Sequence, residues 1–226
     1  MSKYLNVFNT LAEYQAFSAS TEYVQPNVAL VKETNVLYYD YGNNKPQADM
    51  SDFKLEIEET SVGGDKYGID AITKINYIPS RLTSLKSAFM GFRSIVNSPE
   101  IPSGVTSLSS TFQGCSSLVN AKDIPSGVTN MDFTFSNCTS LVKAPTIPSG
   151  VARIGHTFQG CTSLKELTLL QTTPPTYTTT LKGCSSLETI YVPDESVDAF
   201  KTATGWSEFA DKFKPLSEKP TEKKKI

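Results

Sequence analysis

The phrase "IPSGVTSLSSTFQGCSSL" at residues 101–118 returns as "IPSGVTNMDFTFSNCTSL" at 124–141 and as "IPSGVARIGHTFQGCTSL" at 147–164. The step is 23 residues, and Cys115, Cys138, Cys161 and Cys184 keep it. So do Ile78, Ile101, Ile124 and Ile147, then Phe89, Phe112, Phe135 and Phe158, then Ile95, Leu118, Leu141, Leu164 and Leu187. A unit this short cannot enclose a core of its own, so these columns must be buried by laying one unit on the next. The expected architecture is a solenoid of about five coils, one per unit.

Inside a unit, "SLVNA" and "GVTSL" have the length and partial alternation of short strands, and "KDIPSG" between them carries the Pro and Gly that turn the chain. Equivalent strands of adjacent coils would pair in parallel about 4.8 Å apart. "TFQGC" reads as a tight helical or 3-10 turn with its Phe and Cys inward. The cysteine column is then a ladder of small buried hydrophobes. Two other readings stay open beside it. Parallel Cβ vectors fit a disulfide dihedral poorly and a cytosolic chain is kept reduced, while a straight row of sulfurs cannot surround zinc tetrahedrally. Phe92 stands in the cysteine column of the first coil, which suits space filling better than chemistry.

The ends depart from the period, which divides the chain into an amino-terminal module (1–77), the repeats (78–192), a helical cap (193–215) and a flexible tail (216–226). In the cap, Asp194 is placed to cap a helix over 195–204 that stops at Gly205, and Ser207 to cap a short second one. Val197, Phe200, Trp206, Phe209 and Phe213 would cover the final coil, with Trp206 read as a cap residue rather than a ligand platform. The tail, "EKKKI", is a solvated end or a docking peptide. In the amino-terminal module, Thr10 and Glu13 form a capping box for a helix of 10–18. "NVALVKETNVLYYDY" reads as a hairpin turning near Glu33 to Asn35, and "FKLEIEE" and "IDAITKINYI" read as strands. The fold class expected is therefore an α+β repeat protein. Aromatics crowd the module, among them Tyr14, Phe17 and Tyr23; they are its own core or, for Tyr4, Phe8, Tyr38, Tyr39 and Tyr41, an anchoring surface for a partner.

Several function classes are excluded. A formal net charge of -2 and a pI near 5.5 leave no electrostatic footprint for nucleic acid or an anionic membrane. The opening residues lack the pattern of a secretory signal, and no run approaches the ~18 apolar residues of a membrane span. The expectation is a soluble chain made and left in the cytosol. Catalysis has no visible apparatus: His156 is the sole histidine, in a column otherwise held by Ser87, Ser110 and Phe133 that should be exposed because it varies. No nucleophile motif accompanies it. "SVGGDKYG" lacks the ending of a phosphate loop. Glu58 and Glu59 face opposite ways on a strand, which rules out a paired-carboxylate site. No cofactor or metal ligand set is expected. Candidate binding residues are Ser110, Phe133 and His156 on one side, and Asn120, Lys122, Lys143, Lys165 and Glu166 after the leucine.

The joint pattern "F..C.SL....IP.GVT.L" resembles BspA-like bacterial leucine-rich repeats, and "IYVPDESVDAFKTATGWSEFADKFKPL" is similar to the closing segment of that family in gut Bacteroidetes. The resemblance covers residues 78–215 and implies a right-handed leucine-rich-repeat solenoid, used in adhesion or host interaction, with no catalytic residues. The opening, "NVFNTLAEYQAF" with "PNVALVKETNVLYY", is similar to structural proteins of phages of these bacteria. An adhesion repeat without an export signal implies a bacteriophage virion protein, a capsid decoration or a head or tail fibre. Residues 1–77 would hold it to other virion proteins or to itself, and the repeats would bind host surface or mucosal glycan or protein. The alternative is a bacterial cell-surface adhesin expressed without its leader.

Overall fold

The computed structural model describes residues 5–8, 27–31, 36–40, 54–57, 72–78, 80 and 82–220 of the 226-residue chain. Near the amino terminus, β1 (Leu5–Phe8), β2 (Asn27–Val31) and β3 (Val36–Asp40) form one sheet in that order. β2 and β3 make the antiparallel hairpin that the sequence predicts, pairing Val31 with Val36 across the turn. β1, which the sequence did not announce, runs parallel to β2. A parallel pair needs a crossover, and it falls in residues 9–26; the helix expected at 10–18 lies there, outside the described residues. β4 (Lys54–Ile57) pairs antiparallel with β5 (Ile72–Tyr77), and β5 delivers Ile75 and Ile78 into the core shared with the repeats.

The repeats lie on one another in register. Parallel bridges join Ser84, Ser107, Asn130 and Arg153 in one row and Asn97, Asn120, Lys143 and Glu166 in another, each link being one repeat step. The expected short strands are thus single bridges in most units. Pro99 and Pro145 stand two residues beyond the bridging Asn97 and Lys143, where they remove donors and bend the chain. The segment after Glu166, "ELTLL", has no proline. There the bridge lengthens into β6 (Glu166–Thr168), which pairs in parallel with β7 (Thr189–Val192), itself paired with β8 (Phe213–Pro215).

The "TFQGC" segment is two consecutive turns rather than a helix. Thr111 N–H donates to Leu108 C=O at 3.0 Å and Cys115 N–H to Phe112 C=O at 3.1 Å, with Ser110 (φ 56°) and Gly114 (φ 76°) at the position of each turn that demands positive φ. The remaining donors point along the stack. Leu85, Ser87, Phe89 and Gly91 give their N–H to the carbonyls of Ser107, Ser109, Thr111 and Gln113 in the next unit at 2.7–2.9 or 3.0 Å. A helix would have closed these groups within the unit and left the units unjoined.

Inside, three columns repeat. Phe89, Phe112, Phe135 and Phe158 stack with centroids 5.5, 5.7 and 5.7 Å apart. The hydroxyls of Thr111, Thr134, Thr157 and Thr180 donate to the carbonyls of Leu85, Leu108, Met131 and Ile154 one unit back. The thiols of Cys115, Cys138, Cys161 and Cys184 do the same to Phe89, Phe112, Phe135 and Phe158. Leu181 takes the phenylalanine position in the last unit, and Phe200, Trp206 and Phe213 close the apolar end beyond it, with Val197 and Phe209 packed alongside. Trp206 is wholly buried and donates its indole N–H to Pro175 C=O at 2.7 Å, as a cap residue should.

Two helix caps expected from sequence are absent. The segment at 194–204 is a 3-10 turn (Asp194–Ser196) followed by α1 (Val197–Thr202), with Pro193 ahead of it and no side-chain cap. Asp194 instead accepts the N–H of Ser217 at 3.0 Å, and hydrogen bonding from the Ser217 side chain and backbone holds its carboxyl below the usual carboxylate range. Trp206–Lys212 is a second 3-10 segment, and Ser207 lies inside it and so cannot cap it. Gly205 precedes it at φ 78°, where a Cβ would run into the Tyr177 ring. Past 215, Leu216–Glu218 make another 3-10 turn and Lys219 donates to Thr168 Oγ1 at 2.6 Å; residues 221–226 lie outside the described residues.

Removing the Phe135 ring from the middle of the stack is expected to destabilise by about 3–5 kcal/mol. Thr134→Val, which keeps the shape but loses the donor, should lose about 0.5–1.5 kcal/mol. Urea unfolding of the variants checks both.

Candidate functional site

The left-handed turn position of each unit, occupied by Ser87, Ser110, Phe133, His156 and Thr179, has φ between 44° and 59°. Side chains leaving this position stand side by side along the stack. The expectation that the column is exposed is corrected: Ser87 is buried, and Ser110, Phe133, His156 and Thr179 are half-buried. The reason is mutual cover. Phe133 and His156 stack face to face at 4.3 Å with an interplanar angle of 9°. His156 Nδ1 lies 2.6 Å from Thr179 Oγ1 and 2.9 Å from Gln159 Oε1, so its tautomer decides which bond it makes. Beside the rings, the Asp132 carboxylate pairs with Arg153 and accepts Gly155 N–H at 2.9 Å. The histidine is a packed, half-buried group whose hydroxyl neighbour is Thr179; no serine or cysteine bonds the imidazole among the described residues.

The second set lies on the other row of bridges, and the structure does not bring it to the first. Asn120 donates its amide to Asn97 Oδ1 at 2.8 Å. Lys122 pairs with Glu100 at 2.9 Å, and that carboxylate holds its ammonium above the ordinary range. Lys165 sits 3.7 Å from Glu188. Glu166 meets Lys219 at 3.3 Å and Lys143 at 4.0 Å. Each of these side chains therefore has a neighbouring polar partner, an arrangement worth little to stability at an exposed surface. Two grooves adjoin them: one of about 390 Å³ bounded by Asn120, Lys143, Thr146 and Lys219, and one of about 740 Å³ between β5 and the first units, bounded by Ile75, Asn97, Ile101 and Lys122. Of the expected anchoring residues, Tyr4 and Tyr41 lie outside the described residues; Phe8 ends β1, and Tyr38 and Tyr39 sit in β3 opposite Ala29 and Val28.

The cysteines are free, buried donors. Burial pushes Cys115 and Cys184 up to about 12, and raises Cys138 and Cys161, where neighbouring thiols add to the effect. A thiol that stays protonated is neither nucleophile nor metal ligand. No group of metal-ligating side chains occurs among the described residues, and no helix there is long and apolar enough to cross a membrane. Sequence reasoning missed the Asp132–Arg153 pair and the threonine column; the latter was legible, since Thr111, Thr134, Thr157 and Thr180 keep the 23-residue step.

The profile of the BspA type leucine-rich repeat region matches residues 85–204 in six copies, more than half of the chain. The chain belongs to this leucine-rich-repeat family. No curated protein matches it. Among solved structures, a leucine-rich cell surface protein from Faecalibacterium prausnitzii is similar, at 17% identity and a TM-score of 0.50 over 89% of this chain and 51% of that one. A leucine-rich repeat protein from Bacteroides ovatus matches at 20% identity and a TM-score of 0.36, over 77% of this chain and 48% of that one. The chain thus spans about half the length of the structures it matches, and the likeness to the first speaks for the leucine-rich-repeat fold.

The buried thiols of this chain generate a pH test. Each folded pKa is raised above the ordinary 9.0. Their contribution is therefore intact below pH 9 and declines above it, as the unfolded thiols ionise and the folded ones do not. The loss is up to ~1.4 kcal/mol per thiol per pH unit. Melting temperatures should fall between pH 9 and 11, and the fall should lessen when Cys138 and Cys161 are both replaced by Ser. Iodoacetamide should label no cysteine of the native chain at pH 8.

Proposed function

We propose that the protein is a surface-type leucine-rich-repeat binding protein, a non-enzymatic solenoid that engages a host-surface or mucosal macromolecule through the face around Ser110, Phe133 and His156. The observation that carries this is the contrast between the two sides of each turn. Inward positions repeat one chemistry, while the left-handed outward position changes from serine to phenylalanine to histidine on a backbone fixed by the inter-unit hydrogen bonds. A rigid frame with a variable row is what a binding surface needs. Family membership and the resemblance to a bacterial cell surface protein support the surface assignment. They favour it over the virion role, towards which the similarity of the opening residues to phage structural proteins points. Residues 1–77 would then serve as the attachment or self-association module.

Binding of fluorescently labelled full-length protein to mucin-coated and epithelial surfaces tests the reading. Wild type should bind saturably, Phe133→Asn with His156→Asn should bind several-fold less, and Lys165→Ala should bind as wild type. Equal binding by all three, or none by wild type, would remove this face from the function. Antibody labelling of producing cells should mark the bacterial surface; label confined to phage particles would restore the virion role.

A further inference from the structure

The units present different residues at the same three outward turn positions. Ser107, Ser109 and Ser110 in one unit correspond to Asn130, Asp132 and Phe133 in the next. The Phe133 ring is covered on one face by His156, to which it is nearly parallel. Because Ser110 holds the same turn position one unit earlier, the opposite ring face has only a hydroxymethyl group as its column neighbour, and that cannot cover a ring. The surface therefore has a step one unit high, with an aromatic wall and a serine floor.

Hydrogen bonding also changes across this step. On the upper side the polar groups are engaged: Asn130 Oδ1 accepts Asp132 N–H at 3.0 Å, Asp132 holds Gly155 and Arg153, and His156 meets Gln159 and Thr179. On the floor, no hydrogen bond among the described residues uses the hydroxyls of Ser109 and Ser110 or the side-chain amide of Gln113, the counterpart of Gln159. The wall itself is held against local preference. Phe133 has φ 59°, a region that disfavours bulky residues. At the other positive-φ column the chain uses Gly114, Asn137 and Gly160, which tolerate it.

The geometry points to a subsite for one sugar ring at this step. A pyranose lays its apolar C–H face on Phe133 and turns its hydroxyls to Ser109, Ser110 and Gln113, matching one flat apolar surface to a rim of unused donors and acceptors. An aromatic side chain of a protein partner would meet the same wall but leave that rim buried without partners, which is unfavourable. The assignment rests on the binding function proposed above and specifies its ligand class.

The test is an amide NMR titration of the 15N-labelled full chain with glucose, galactose, mannose, fucose, N-acetylglucosamine and N-acetylgalactosamine, and separately with N-acetyltyrosinamide. At least one sugar should shift the signals of residues 107–113 and Phe133, with its own C–H protons displaced upfield by the ring. Ser110→Phe, which fills the slot by extending the ring stack, should weaken binding about tenfold or more. Phe133→Asn, which suits the left-handed backbone, should weaken it equally while leaving the melting temperature unchanged or higher. The subsite is overturned if no sugar binds, if the shifts map elsewhere, if the tyrosine amide binds and the sugars do not, or if Ser110→Phe binds as wild type. Mucin binding that survives Ser110→Phe, with no sugar response, would remove the subsite alone; a localised sugar response without binding to mucin or cells would keep the subsite and remove the surface function.

Discussion

The hydrogen bonds between units, at a fixed offset along the chain, are the constraint on which the rest of the structure depends. Alternate amides of each turn donate to the next unit, as Ser87 does to Ser109 and Ser110 to Asp132. That leaves inward carbonyls such as those of Leu85 and Phe89 with spare acceptor capacity in a dry interior, where an unmet polar group is expensive. Threonine and cysteine one unit later supply it, through Thr111 and Cys115. The two columns are therefore the polar counterpart of the phenylalanine stack: each requires a neighbour at the correct register, and no unit can satisfy its own core. The ends must be closed by other means, with β5 at one side and Phe200, Trp206 and Phe213 at the other.

The fixed step made the inward columns legible from the residues alone. Phe, Cys and Leu recur because they face the same neighbours, and Trp206, Phe200 and Phe213, expected on an apolar face, are buried in the same core. The details that failed share a cause. Strand patterns in "SLVNA" and "GVTSL" describe a local preference, whereas the length of a pair depends on both partners: Pro99 or Pro145 lies in each bridged pair of the row from Asn97 to Glu166, while "ELTLL" pairs at greater length with β7, which has no proline. Asp194 looked like a cap by position, but its carboxylate has a better partner in Ser217, far along the sequence and invisible to a local rule. The "TFQGC" turn was misjudged because two residues of positive φ, one of them a serine, convert a helical-looking segment into paired turns.

The same backbone explains why half of the candidate site was recognised and half of its chemistry was not. A varying column signals an outward position, and Ser110, Phe133 and His156 do share one turn position of successive units. Exposure did not follow, because neighbours one unit apart are close enough for Phe133 and His156 to cover each other. On the other row, Lys122, Lys143, Lys165 and Glu166 stand out as positions after the leucine, and each finds an opposite charge within reach. Their pairing follows from which residues the register places side by side, a fact available only once the offset is combined with the geometry. A frame that fixes the direction of each side chain while leaving the outward identities free accommodates recognition.

An anomalous-scattering map of the crystallised protein at the sulfur positions tests the stacking most directly. The account predicts one row of four cysteine peaks, neighbours about 4.8 Å apart, the parallel strand spacing. Peaks paired at the ~2.05 Å of a disulfide, or dispersed through the molecule, would contradict it.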